Sequence, residues 1–335
     1  MARGGGFCYV RPVQPFRLLL MIAMLTAASA PMTSGRGMED VVVTANAVPL
    51  DPRDPAQDRV GRLRYLGGLH LSSADPRFGG LSGLRWIGNG LLAVTDGGNW
   101  VAFDLVETGD RLSALQAARM GLIRGPQRAP LKGKAHVDAE ALEADANGLT
   151  VAFERDHRIW NYRNLGDAPW SEPFPDEAWL KALPGNSGVE AIARWGRDWQ
   201  LYVAEAKQPD APADAVLAAL HGMARTYGHV AIPVTPGFRP TDAQALAAGH
   251  VLLLSRRQTA SGESSAVVQV FPIDAARLMI GAAADVARLS APLTVDNMEG
   301  LAIRRENGRT FIYLISDDNF SPAQRTLLLK FELLS

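Results

Sequence analysis

The chain has 335 residues, carries 34 Lys and Arg against 35 Asp and Glu for a formal charge of −1, and is 47% hydrophobic. It has no basic run and no basic patch interleaved with aromatics, which argues against nucleic acid as a partner. Its one cysteine is Cys8, so past residue 30 disulfides and thiolate chemistry are excluded, and stability must come from a core that a chain of this length can bury.

Residues 1–30 hold Arg3, Arg11 and Arg17 ahead of LLLMIAMLTAASA, with no acid before Glu39. That is the layout of a secretory signal peptide, and its apolar run is short for a membrane span. Cleavage near Ala28 or Ala30 is expected. It removes the three arginines, takes the charge from −1 to −4 and implies a periplasmic or secreted protein. Residues 31–59, rich in Pro and Asp, read as a partly irregular N-terminal segment in which VVVTA can add an edge strand.

From residue 60 to 335 the chain repeats itself. LSGLRWIGNGLLAVTDGG (81–98), AEALEADANGLTVAFERD (139–156), VEAIARWGRDWQLYVAEA (189–206), AQALAAGHVLLLSRRQ (243–258) and MEGLAIRRENGRTFIYLISDD (298–318) share one pattern. Each opens on a small or acidic residue, turns at a polar or Gly-containing stretch, runs through a short apolar strand and ends polar. Aligned on Ser82, Glu140, Glu190, Gln244 and Glu299, the copies lie 58, 50, 54 and 55 residues apart, room for four strands each. WVAFDL, RIWNY, HVAIPV, AVVQVF and TLLLKFEL supply further strands, and RLRYLGGLHL near residue 65 can close the last unit against the C-terminal ones. The pattern predicts an all-β fold, a β-propeller of four-stranded blades with five blades by repeat count, a sixth degenerate blade or a β-sandwich being the alternatives. One helix is expected, in DAPADAVLAALHGMART (210–226).

In a propeller the start of the innermost strand and the end of the next share one face. Glu140, Glu190 and Glu299 begin hairpins, while Asp96, Glu154, Glu205, Asp317 and Asp318 end them, with Asp138, Asp156 and Asp296 close by. All are expected at one channel mouth, where like charges in a low dielectric raise one another's pKa values unless something positive is bound. A hard cation such as Ca²⁺ accepts these carboxylates together with Asn297, Asn319 and backbone carbonyls. The alternative compensation is internal, from Arg155, His157, Lys207, Arg256 and Arg257 after the same strand ends.

Other chemistries lack their signatures. GGLSGL (79–84) imitates a nucleophile elbow, but Leu84 replaces the second glycine and a hairpin start is the wrong context. There is no P-loop, no dinucleotide fingerprint and no H-E-x-x-H, and His70, His136, His221, His229 and His250 show no zinc-ligand spacing.

DNMEGLAI (296–303) and LISDDNFSPAQRTLLLKFEL (314–333), with SGL, VTDGG, DAEAL, FERD, GVEAI and YVAEA in the first three repeats, resemble the bacterial phytase-like family, also described as esterase-like activity of phytase, over roughly residues 60–335. The resemblance implies an exported propeller related to Ca²⁺-dependent phosphomonoester hydrolases. By it Glu140, Glu190, Glu299, Asp317 and Asp318 would bind metal, and Arg155, Lys207 and Arg256 would face phosphate. The DAADDPA-type signature of characterised propeller phytases is missing, DPRDPAQD (51–58) being a faint likeness, so phytate itself is not implied.

Three functions stay open on the sequence. The first is a Ca²⁺-dependent phosphomonoesterase, its mouth carrying Glu154, Arg155, His157, Lys207 and Arg256 as catalytic candidates and Glu140, Glu190, Glu205, Asn297, Glu299, Asp317, Asp318 and Asn319 as metal candidates. The second is a Ca²⁺-dependent carboxyl-ester or lactone hydrolase with a carboxylate or His157 as base. The third is a non-catalytic envelope binding module. A monomer acting on a small anionic substrate is expected.

Overall fold

A computed structural model describes Met1 and residues 37–170, 174, 176–195, 199–205, 211, 212, 214–222, 227–247, 249–275 and 277–334. The chain separates into residues 1–30 and residues 31–335. The expected signal peptide, residues 1–30, lies outside the described residues, Met1 apart.

The second unit is a five-bladed β-propeller. Blade 1 runs outward from Leu81–Ile87 through Gly90–Thr95 and Asn99–Thr108 to Arg111–Leu122. Blade 2 contains Ala139–Asp145, Gly148–Phe153 and Arg158–Tyr162. Blade 3 contains Val189–Trp195, Trp199–Ala204, Ala215–Gly222 and Tyr227–Pro233; blade 4 contains Arg239–Ala247, His250–Gln258, Ser264–Asp274 and Ala284–Ser290. In blade 5, Asn297–Glu306, Arg309–Asp317 and Thr326–Leu333 are completed by Leu63–Ser72, which pairs antiparallel with the last strand through Leu328 and Leu69. The N-terminal strand thus seals the ring, as the repeat pattern predicts.

The VVVTA region gives two short edge strands, Glu39–Val41 on blade 1 and Thr44–Val48 on blade 5, so it also spans the closure. Blade 2 departs from four strands: its described part has three, plus an isolated bridge between Asn161 and Trp170. The expected helix at 210–226 is a correction, since Ala215–Gly222 is a strand paired on both sides. Helix-forming Ala and Leu are overridden there by burial with period two. Val216, Ala218 and Leu220 pack toward blade 4, and Ala219 packs toward blade 2.

Five buried clusters fill the five gaps between neighbouring blades. Middle strands are covered on both faces, which is why they read as unbroken apolar runs rather than alternating ones. In blade 4, Val251 and Leu253 face blade 3 while Leu252 and Leu254 face blade 5.

Sequence reasoning missed what holds the axis. Arg85, on the inner strand of blade 1, lies 3.3 Å from Glu143 of blade 2 and donates to the carbonyl of Ile192 in blade 3, to Asp242 and the Ala243 carbonyl in blade 4, and to the Leu301 carbonyl in blade 5. One guanidinium therefore touches the innermost strand of every other blade and is completely buried. Asp242 returns the connection by accepting from the amides of Leu84 and Leu301, and Glu143 accepts from the amide of Arg194.

Candidate active site at the channel mouth

Each inner strand carries one extra residue near its start. The register slips at Gly83, Glu140, Glu190, Thr241 and Glu299, each left without a partner on the second strand. A β-bulge re-aims the side chain it carries, and here the same device recurs in all five blades. This corrects the repeat alignment: blades 1 and 4 contribute Gly83 and Thr241 at this position, while Ser82 sits beside it and Gln244 three residues further along the strand. Ser82 Oγ donates to Glu140 Oε2 at 3.0 Å, and Gln244 accepts from the amide of Ile303.

The hairpin ends return to the same face. The amides of Asp96, Glu154 and Glu205 close their hairpins on the carbonyls of Gly80, Asp138 and Gly188. Electrostatic neighbours then run round the whole mouth. Glu140 feels Glu190, Asp138, Glu154 and Asp96; Glu190 feels Glu205, Glu154 and Glu299; Asp317 feels Glu299, Asp96 and Asp318. Of the acidic residues expected there, Asp96, Asp138, Glu140, Glu154, Glu190, Glu205, Glu299, Asp317 and Asp318 are linked in this way, whereas Asp156 pairs with His136 and Arg158, and Asp296 with Arg325.

Burial is the main cause of their shifted acidity and like charge adds to it. Glu140 and Glu190 are pushed well above the ordinary carboxylate range, Glu154 and Glu299 up to about 7, and Asp317 up to about 8.

Part of this charge is balanced from within. Lys134 Nζ lies 2.7 Å from Asp96 and also holds Asp138, to which Arg155 is bound at 2.5 Å while donating to Asn186 as well. Arg256 Nε is 2.6 Å from Glu299, and Arg239 Nη1 is 3.3 Å from Glu205. Arg325 pairs with Asp296. Lys134 and Arg239 escaped the sequence reading because each lies just outside a repeated hairpin. The register of the fourth bulge, two residues after Arg239, is the signal that would have found the latter.

The remaining candidates separate by what they touch. His157 Nε2 is 3.0 Å from the carbonyl of Pro184, so it ties down the loop entering blade 3. A carbonyl only accepts, so this nitrogen carries the proton and is not itself a free base. Asn297 donates to Glu299, and the exposed Asn319 donates to Gln324. Asp318 accepts from the amides of Gly80 and Phe320 and from Thr326 Oγ1, which leaves it little to offer a cation. Among the described residues Asp317 accepts only the amide of Asn319. Lys207 lies outside the described residues.

Among the described residues no three His, Cys, Asp or Glu side chains form a ready metal centre. The donor chemistry nevertheless fits a hard cation. Asp96 Oδ1, Asn99 Oδ1, Glu190 Oε1 and Asn297 Oδ1 are buried oxygens without a hydrogen-bond partner among the described residues, and leaving such acceptors unmet is costly.

Beside Glu205 and Glu299, Arg239, Arg256 and Arg257 line a cavity of about 230 Å³ with Gly237 and Gln258. Arg257 rests over the Phe238 ring at 5.0 Å. The mouth therefore places a cationic recess against an acidic one.

No curated protein matches the chain in sequence. Among solved structures it is similar to the catalytic domain of a Coprinopsis cinerea GH62 α-L-arabinofuranosidase, 11% identical over 82% of this chain and 99% of that one, with a TM-score of 0.52. It is also similar to the α-L-arabinofuranosidase PaAbf62A of Podospora anserina, 10% identical over 87% and 97% of the two chains, with a TM-score of 0.46. Likeness at such identity speaks for fold alone. Residues 76–320, well over half of the chain, match the phytase-like family, described as esterase-like activity of phytase, and the chain belongs to that family.

Proposed function

We propose that the mouth hydrolyses a small phosphomonoester with the help of a divalent cation, Ca²⁺ by the hardness of its donors, in a protein exported by its leader. The observation that carries this reading is the juxtaposition of the Arg239, Arg256 and Arg257 recess with the buried carboxylate of Glu190, which feels Arg256 but also Glu205, Glu154 and Glu299, and whose Oε1 has no hydrogen-bond partner among the described residues. A phosphate needs the first, and an ionised carboxylate cluster needs a cation in the second.

Glu190, Asn297 and Asp317 are the residues that would hold the cation, with Glu140 adjoining. When bound, such an ion supplies positive charge to phosphoryl oxygens and makes water more acidic. Arg256, fixed by Glu299, and the freer Arg239 and Arg257 orient the phosphate. Glu154, half-buried at the hairpin end of blade 2 where its amide closes on the Asp138 carbonyl, and pushed up to about 7 by burial, is the carboxylate that would take a proton from the attacking water.

The test is hydrolysis of p-nitrophenyl phosphate and of p-nitrophenyl acetate, each with Ca²⁺ and again after chelation. Phosphate release that depends on Ca²⁺ is the expected result. Turnover of the acetate alone moves the reaction to carboxyl esters. Turnover of neither would show a binding module and overturn the reading.

A further inference from the structure

Phe320 stands apart from the polar surroundings of the mouth. It is 48% exposed, one of few large apolar side chains so placed among the described residues. Its ring lies against the backbone of blade 1: a Cβ built on Gly79 would come within 2.9 Å of the ring, and one built on Gly80 within 2.7 Å. The opening turn of blade 1 is thus glycine where the ring rests, and the rest of the ring is left to solvent.

The backbone holding the ring is strained and clamped. Asn319 and Phe320 have φ of 48° and 50°, consecutive left-handed residues without glycine's freedom, a conformation that costs of order 1 kcal/mol per residue. Both amides are captured by mouth carboxylates, Asn319 N by Asp317 Oδ1 at 2.6 Å and Phe320 N by Asp318 Oδ1 at 3.0 Å. Asp318 also accepts from Gly80, so the same carboxylate fixes both the aromatic loop and the glycine turn beneath it. A side chain serving the core would be buried. This one is locked in position at the rim with surface to spare.

We infer that Phe320 is a specificity-determining residue that stacks on the leaving group, and that the preferred substrate carries one phosphate on an aryl or other flat apolar group. The inference rests on the phosphomonoester reading for the phosphate and on Phe320 for the rest. A densely phosphorylated ring is disfavoured, because the carboxylates of Asp96 and Asp318 flank the glycine turn on which Phe320 lies.

Titration calorimetry of the whole chain in Ca²⁺ buffer, with phenylphosphonate and methylphosphonate, tests this without turnover. The expected result is that phenylphosphonate binds about five- to tenfold tighter, the size of an aromatic stacking contribution. Phe320→Ala should erase that ratio and Phe320→Tyr should keep it. Equal binding of the two ligands by the parent protein, binding of neither, or a ratio unchanged in Phe320→Ala overturns the inference. Loss of both ligands in equal proportion, with a lowered melting temperature, would show a structural role instead. Absence of p-nitrophenyl phosphate turnover with the binding ratio intact would sink the hydrolytic reading alone.

Discussion

Arg85 and Asp242 face each other from different blades at 2.9 Å, with both side chains out of reach of water. The pair joins blade 1 to blade 4, which are not neighbours in the ring, and Glu143 ties in blade 2. Removing one partner of a buried pair leaves the other charge unmatched and costs about 3–5 kcal/mol. Arg85→Met is expected to lose that much, since it also strands the carbonyls of Ile192, Ala243 and Leu301. Arg85→Lys should recover only part of it, because an ammonium cannot reproduce the planar fork that reaches several blades at once. Urea unfolding of the three proteins checks the order. A loss below about 1 kcal/mol for Arg85→Met would show that the axis is not where the blades are held.

Ionisation of Glu190 is opposed by burial and by Glu205, Glu154 and Glu299, and its Oε1 has no partner among the described residues. Glu190→Gln keeps the shape and removes the charge. In chelator the variant should melt higher than the parent, a gain of about 1 kcal/mol corresponding to roughly 2–4 °C for a domain of this order of size. The rise in melting temperature on adding Ca²⁺, which comes from binding to the native state, should shrink in the same variant. Equal Ca²⁺ shifts in both proteins would remove Glu190 from the cation site.

The fold was legible because a hairpin repeated five times leaves its mark in any alignment. The strand Phe311–Ile315 reads as buried because both its faces are. The bulge position was half legible. Glu140, Glu190 and Glu299 announce themselves, whereas Gly83 and Thr241 do not, and the polar Gln244 three residues further on drew the alignment away from Thr241. Arg85 was passed over since a lone arginine inside an apolar strand looks like a turn-side residue until the other blades are placed around it. Ala215–Gly222 misled because its composition favours helix, although its period of two was present in Val216, Ala218 and Leu220.

Raised carboxylate pKa values carry a definite sign for the metal-free protein. A folded-state pKa above the unfolded one means that the native state binds the proton more tightly. The associated stability is fully present below the unfolded value, 4.5 for Glu and 3.8 for Asp, and is lost as pH rises through the folded value. Glu154 and Glu299 place that loss around pH 7, and Asp317 extends it to about 8. Stability in chelator should therefore fall between about pH 5 and pH 8, and the stabilisation gained from Ca²⁺ should grow over the same range. Melting curves at several pH values, with and without Ca²⁺, decide it; metal-free stability that rises toward the alkaline end would contradict the assignment.

The three arginines of the cationic recess are not equivalent, which makes the recess testable by contrast. Arg256 is held at 2.6 Å by the buried Glu299, so Arg256→Ala leaves that carboxylate without its cation, with only Asn297 still donating to it among the described residues, and should cost about 3 kcal/mol of stability as well as substrate affinity. Arg257 is exposed and rests on Phe238, a contact worth under about 1 kcal/mol at such a site. Arg257→Ala should therefore leave the melting temperature nearly unchanged. If Arg257 meets the phosphate, the variant should bind inorganic phosphate roughly tenfold more weakly, the value of one charge-assisted hydrogen bond. Arg239 is the intermediate case, with most of its side chain in solvent and one contact to Glu205 at 3.3 Å, so Arg239→Ala should lose affinity with only a small loss of stability. Phosphate titrations alongside melting curves separate the two effects. Unchanged phosphate binding in both Arg239→Ala and Arg257→Ala would leave Arg256 as a structural partner of Glu299 and move the anion elsewhere in the mouth.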